Sequence, residues 1–96
     1  MKQQIRQGDV LFVKAEKVSG EKLSHTIVAE GEATGHYHKL IGLATLYQDG
    51  LRMFAEVGIG VVLTHQEHAA IPIAPGIYEI RRQREYHPRA IRNVMD

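Results

Sequence analysis

The sequence contains no cysteine, which excludes a disulfide framework, a thiolate metal site and a thiol nucleophile. Tryptophan is also absent, and with two phenylalanines and four tyrosines the core must consist mainly of aliphatic side chains. No apolar run approaches the roughly 20 residues that a membrane-spanning helix needs. The first ten residues are polar and do not resemble a secretory signal. These absences predict a cytoplasmic protein that makes no membrane contact.

The motifs of several common enzyme classes are missing as well. The chain contains no P-loop, no GxGxxG and no GxSxG segment. Its only serines, Ser19 and Ser24, do not lie in an elbow-like turn, which argues against a serine triad. A small domain without a clear nucleophile or cofactor motif is more often a binding module, so the sequence slightly disfavours an enzyme.

Glycines divide the chain at short intervals, and short apolar runs rich in β-branched residues lie between them. Regular turn signals between such runs are typical of β-sandwiches and barrels. Asp49-Gly50 in particular is a strong hairpin signal. We therefore predict an all-β, small single-domain barrel or sandwich of about six mostly antiparallel strands. The predicted strands are residues 9–18, 23–30, 36–47, 51–57, 59–65 and 77–86.

The chain has 96 residues, of which 44% are hydrophobic, and this is enough for one modest core. We expect a single β domain over residues 1–96, with residues 87–96 as a loose or short helical tail. A domain of this size buries a limited fraction of its surface. A bound ion or a homodimer interface would therefore add useful stability.

Four of the six histidines occur in two close pairs, His36 with His38 in GHYH and His65 with His68 in HQEH. Residues i and i+2 of a strand point to the same side, so His36 and His38 project together. If the two strand ends are neighbours, four imidazoles could surround one metal ion or line a small-ligand site. Nitrogen-rich ligation would favour zinc, nickel, copper or iron over magnesium or calcium. Glu32 and Glu67 would be the nearby carboxylates, as ligands, supporting groups or a general base.

A purely structural interpretation of these histidines stays open. Histidine is common at strand ends and in turns, and neither pair is a specific motif alone. Leu40 and Leu46 share the parity of His36 and His38, so the pair could simply continue a buried face. Both interpretations direct the pair inward or into a cleft, and they differ on whether an ion is bound there.

A second candidate surface lies near the C-terminus, although the net charge of the chain is only +1. On a strand, Arg82, Arg84 and Tyr86 would share one face, which could bind an acidic partner or, less favoured, nucleic acid. The alternative is a solvated face whose arginines form cross-strand ion pairs. This surface gives a second functional hypothesis, a non-enzymatic interaction module.

GHYHKL and PIAPGIYEI are similar to the two motifs of the cupin superfamily. That resemblance implies a metal site inside a β-barrel, with His36 and His38 as the first ligand pair. The chain departs from the cupin pattern at two points. Residues 39–46 contain no carboxylate, and His65 and His68 precede Pro75-Gly76 instead of following it.

A likeness that spans nearly the whole chain is to a group of small, functionally uncharacterised bacterial and phage proteins. Its segments here are GDVL at residues 8–11, GEATGHYH at 31–38 and YEIRRQREY at 78–86. The resemblance implies a shared fold and surface but no known activity. If these segments meet in space, a surface of His, Glu and Arg side chains would suit an anionic ligand or partner.

Overall fold

The computed structural model describes residues 4–30 and 35–82, and the prediction of an all-β fold is confirmed. No residue in these ranges is helical, so this part of the chain offers no helix that could cross a membrane. Ten short strands are present in the described ranges. They are β1 (Gln4–Gln7), β2 (Val10–Lys14), β3 (Glu21–Lys22), β4 (Ile27–Glu30), β5 (Tyr37–Ile41), β6 (Ala44–Asp49), β7 (Arg52–Val57), β8 (Val61–Thr64), β9 (Ile71–Ile73) and β10 (Gly76–Arg82).

The strands form two antiparallel sheets, with the orders β1-β2-β10-β7-β6-β3 and β4-β5-β8-β9. A single hydrophobic cluster contains side chains from both sheets, so the two sheets share one core. β9 contains Pro72 and lies at an edge, where a missing N–H costs least. The largest fully buried side chains are Tyr78, Phe12, Leu40, Leu46, Leu63, Val10 and Val61.

The chain turns a corner where a single strand was predicted over residues 36–47. β5 and β6 belong to different sheets, and Gly42 and Leu43 connect them. Gly42 has φ of 116°, a conformation that glycine adopts without strain. A Cβ there would also lie 3.3 Å from the Val61 Cα. The prediction of one continuous strand was wrong because it gave no weight to this glycine.

The N-terminal residues form a hairpin where one strand was predicted to begin at Asp9. β1 pairs with β2 in the register Gln7↔Val10, and Gly8 and Asp9 make the turn. Gly8 has φ of 62°, which suits a tight hairpin. β1 was missed because its sequence QIRQ is polar. It is an edge strand in which Gln7 is fully buried and Ile5 is only partly buried against the core.

The predicted strand over residues 23–30 is shorter than expected, and its two faces do not alternate regularly. Val28 and its neighbour Ala29 are both buried. A register shift between Ile27 and Ala29 in the pairing of β4 with β5 explains the difference. An irregularity of this kind breaks the alternation of faces on which the prediction relied.

The hairpin signal Asp49-Gly50 is confirmed, because β6 pairs with β7 through Asp49↔Arg52. The last predicted strand, residues 77–86, is described as far as Arg82, where β10 ends. Its remainder and the predicted tail at residues 87–96 lie outside the described residues.

Candidate functional site

The two histidine pairs lie beside each other because β5 pairs with β8. The register Lys39↔Thr64 and Leu40↔Leu63, extended beyond the strand ends, places His38 opposite His65 and His36 opposite Glu67. The ring centroids of His38 and His65 are 4.3 Å apart, and those of His65 and His68 are 4.6 Å apart. His36 lies 5.6 Å from His65, and His38 lies 6.0 Å from His68. We call His36, His38, His65 and His68 the histidine cluster.

The turn between β1 and β2 packs against this cluster. A Cβ placed on Gly8 would lie 2.8 Å from the His68 Nε2 atom and 3.4 Å from the His38 Cε1 atom. Gly8 therefore meets two requirements that other residues do not, the positive φ of the hairpin and close approach to the imidazoles. The turn therefore brings the start of the GDVL segment, Gly8 and Asp9, to the histidine cluster.

Gln7 determines which nitrogen of His38 carries a proton. The Gln7 side-chain nitrogen donates to the backbone oxygens of Leu63 at 3.1 Å and Ala69 at 2.8 Å. Because carbonyls only accept hydrogen bonds, the other end of the amide is its oxygen, which lies 2.8 Å from the His38 Nδ1 atom. His38 therefore donates from Nδ1, and in its neutral form Nε2 has a free lone pair.

The environment of His38 keeps its ring neutral at ordinary pH. Burial lowers its pKa from 6.5 to about 4, helped by the neighbouring His65 and opposed by Asp9. The pKa of His65 is also lowered, first by desolvation and then by His68 and His36. Imidazoles crowded together resist protonation because each imidazolium would repel the next. His38 and His65 therefore present neutral nitrogens rather than positive charges.

Asp9 and Arg82 form an ion pair beside His38. Arg82 donates to the Asp9 Oδ2 atom from Nε at 3.2 Å and from Nη2 at 3.1 Å. The other carboxylate oxygen of Asp9, Oδ1, lies 3.9 Å from the His38 Nε2 atom. Asp9, His38 and Arg82 come from the GDVL, GEATGHYH and YEIRRQREY segments respectively, so one described residue of each segment lies at this place.

The loop that follows β8 is attached to both histidine pairs. The His65 Nδ1 atom accepts a hydrogen bond from the backbone N–H of Glu67 at 2.9 Å. The Glu67 side chain reaches His36, with 3.6 Å between Oε2 and Nδ1. Since Nδ1 of His65 is an acceptor, the proton of its neutral ring is on Nε2. Among the residues that the structure describes, no three His, Asp or Glu side chains are arranged to hold a metal ion.

The other predicted ligand residues have different outcomes. Glu32, Arg84 and Tyr86 lie outside the described residues. Arg82 is described, and its guanidinium is directed to Asp9. His25, which belongs to neither pair, is exposed, and its Nδ1 atom accepts a hydrogen bond from the N–H of Ile27 at 3.1 Å.

Sequence reasoning missed two residues of this site, Gln7 and Asp9. Gln7 lies in the mostly polar strand β1, whose one apolar residue, Ile5, gives no alternating pattern. Asp9 lies in the GDVL segment, so the resemblance marked it, but nothing in the spacing linked it to a histidine at position 38. Their contacts with His38 depend on how the β1–β2 hairpin packs against the second sheet.

Comparison with known proteins gives a family but no activity. The model of a domain of unknown function, DUF8820, matches residues 6–83, which include Gln7, Asp9, the whole histidine cluster and Arg82. No curated protein and no solved structure gives a significant match. The chain therefore belongs to the DUF8820 family.

Proposed function

We propose that this protein binds a divalent transition metal ion in the histidine cluster. The observation that carries the proposal is the state of His38. Its Nδ1–H is fixed by the buried Gln7, and its Nε2 lone pair is left for a ligand among three further imidazoles. Metal-bound histidines usually donate their second ring nitrogen to an oxygen acceptor, which fixes the tautomer and the ring orientation. Gln7 provides that acceptor.

The spacing of the rings supports a shared ion. An imidazole nitrogen binds zinc at about 2.0 Å, which puts the ring centre about 3 Å from the metal. Two such rings at a tetrahedral angle have centres about 5 Å apart. The four centroid distances given above run from 4.3 Å to 6.0 Å, on both sides of that value. Small ring rotations rather than backbone shifts would then bring the nitrogens together.

The required rearrangement is small compared with the energy of metal binding. To use Nε2 as a ligand, His65 must move its proton to Nδ1 and give up the hydrogen bond from Glu67 N–H. One such bond contributes about 1 kcal/mol, whereas structural zinc sites contribute about 10 kcal/mol or more. His65 and Glu67 lie outside the strands, so the His65 ring can rotate without breaking strand pairing.

The donor set indicates which ions to test. Imidazole nitrogen suits zinc, copper, nickel and iron, and a site without thiolates does not select the softest ions. The similarity of GHYH to the first cupin motif supports the same assignment. Three or four histidines with one open position would bind water or a small ligand at the metal.

Isothermal titration of the untagged protein with zinc tests the proposal, and His38→Asn against His25→Asn is a matched pair. An asparagine amide can replace the Nδ1 donor to Gln7, but it has no counterpart of the Nε2 lone pair. We expect near-stoichiometric binding by the parent and by His25→Asn, and a loss of at least about tenfold in affinity for His38→Asn. Equal affinity in all three proteins, or no binding by the parent, would refute the proposal.

A further inference from the structure

We infer that Asp9 supplies a carboxylate ligand to the metal in the histidine cluster and that Arg82 positions this carboxylate. The inference rests on the proposed function, because it requires that a metal binds there. It assigns a ligand from the β1–β2 hairpin, whereas the sequence pattern pointed to Glu32 and Glu67. The site would then contain imidazole nitrogens and one anionic oxygen.

The distance between Asp9 and His38 fits two ligands of one ion better than it fits a hydrogen bond. The Asp9 Oδ1 atom and the His38 Nε2 atom are 3.9 Å apart. In neutral His38 the proton is on Nδ1, so both of these facing atoms are acceptors. Two donor atoms that each lie about 2.0–2.2 Å from an ion are about 3.4 Å apart at a tetrahedral angle. A side-chain movement that brings the two atoms about 0.5 Å closer would give the distance expected for two ligands of one ion.

Arg82 determines which oxygen of Asp9 faces His38. The two hydrogen bonds that Arg82 donates to Asp9 go to Oδ2, at 3.2 Å and 3.1 Å, while Oδ1 lies on the side of the imidazole. β10 pairs with β2 through Arg82↔Val10, so the guanidinium is anchored directly beside the turn. Ligating carboxylates are commonly held by such a partner on the second oxygen. Arg82 is therefore a positioning residue and does not bind the metal.

Asp9 is better placed than Glu67 to be the ligand. The Asp9 side chain is 36% exposed and that of Glu67 is 67% exposed. Both carboxylates raise the pKa of His65, Glu67 more strongly than Asp9, but only Asp9 also acts on the buried His38. Glu67 lies 3.6 Å from the Nδ1 atom of His36, at the outer side. These two carboxylates give a direct comparison of central and peripheral positions.

Cobalt titration of the full chain, followed by visible absorption, tests the assignment through Asp9→Asn and Glu67→Gln. Asn keeps an oxygen for Arg82 but removes the charge. We expect Asp9→Asn to lower cobalt affinity by about tenfold to a hundredfold and to shift the d–d bands, since an oxygen ligand is lost. Glu67→Gln should stay within about twofold of the parent. Unchanged affinity and bands in Asp9→Asn, or the larger loss in Glu67→Gln, would overturn the inference.

The same titration separates this inference from the proposed function. If the parent protein binds no cobalt, both fail. If the parent binds cobalt and His38→Asn does not, but Asp9→Asn binds like the parent, only the assignment of Asp9 fails. If Asp9→Asn does not fold, carbon-13 NMR of the unsubstituted protein tests the inference instead. The side-chain carboxyl ¹³C signal of Asp9 should shift during zinc titration more than that of Glu67, and an equal or smaller shift would overturn the inference.

A double-substitution cycle tests the positioning role of Arg82. We expect Arg82→Gln to weaken cobalt binding by up to about tenfold, as the loss of a supporting group does. Asp9→Asn combined with Arg82→Gln should bind no more weakly than Asp9→Asn alone, because Arg82 acts through Asp9. Additive losses would show that Arg82 affects the site by another route and would overturn its role as a positioning residue.

Discussion

The metal-free protein should lose stability between pH 7 and pH 5 because of His38. The groups that face this ring are His65, His68, Asp9 and Arg82, and burial with His65 lowers its pKa from 6.5 to about 4. Between these two values the unfolded chain binds a proton at His38 that the folded chain does not bind. The free energy of unfolding is therefore unaffected by His38 above pH 6.5, and it decreases as the pH falls towards 4.

The size of this effect follows from the same two values. Each pKa unit corresponds to about 1.4 kcal/mol, so the whole change from 6.5 to about 4 amounts to about 3 kcal/mol. About 2 kcal/mol of it falls between pH 7 and pH 5. For a domain of this length that loss lowers the melting temperature by about 10 °C. His65, whose pKa is also lowered, adds to the loss in the same direction.

Urea unfolding followed by far-ultraviolet circular dichroism at pH 7, 6 and 5, with chelator present, measures the effect. His38→Asn removes the titrating ring. Between pH 7 and pH 5 its free energy of unfolding should therefore fall by about 2 kcal/mol less than that of the parent. His25→Asn, which removes an exposed histidine outside the cluster, should keep the dependence of the parent. If the parent and His38→Asn lose equal stability between pH 7 and pH 5, the proposed environment of His38 is wrong.

Three further substitutions probe the structure around the site and across the sheet. Gln7→Leu should cost about 2–3 kcal/mol in urea unfolding, since the backbone carbonyls of Leu63 and Ala69 lose their donor, while the exposed Gln4→Leu should cost less than about 0.5 kcal/mol. Gly8→Ala should cost about 1 kcal/mol through its positive φ, and, by displacing His68, it should also weaken zinc binding measured by titration. Glu79→Gln should cost about 1–3 kcal/mol at pH 7, because the buried carboxylate accepts hydrogen bonds from two arginines, and thermal melts should detect the loss.

Glu79, like His38, makes the folded state less stable as the pH falls, although one group is an acid stabilised in its charged form and the other a base kept neutral. Hydrogen bonds from Arg52 lower the pKa of the Glu79 carboxyl, and those from Arg81 add to this. Its contribution is present above the pKa of the unfolded carboxyl and is lost as the pH falls through the folded value. That window lies below the His38 window, so Glu79→Gln should leave the loss between pH 7 and pH 5 unchanged.

The fold class could be predicted from the sequence because turn signals and strand patterns are local. Asp49-Gly50 identified its hairpin from two adjacent residues, and the confirmed pairing Asp49↔Arg52 needs no distant information. The failures also have local causes that periodicity cannot show. Gly42 turns the chain between sheets, and a register shift buries Val28 and Ala29 together. A pattern of alternating faces assumes a regular strand, and both features interrupt that regularity.

The candidate site depends on contacts between distant parts of the chain, which sequence patterns do not show. The parity of His36 and His38 predicts that they point together, but only the register Lys39↔Thr64 determines that His65 lies opposite His38. Register depends on which residues of two separate strands are paired, and one sequence does not state this. The positions of Gln7 and Asp9 relative to His38 depend in addition on how the β1–β2 hairpin packs against the end of the other sheet. The residues that fix the proton of His38 and lie beside its free nitrogen are therefore those that a sequence pattern is least able to identify.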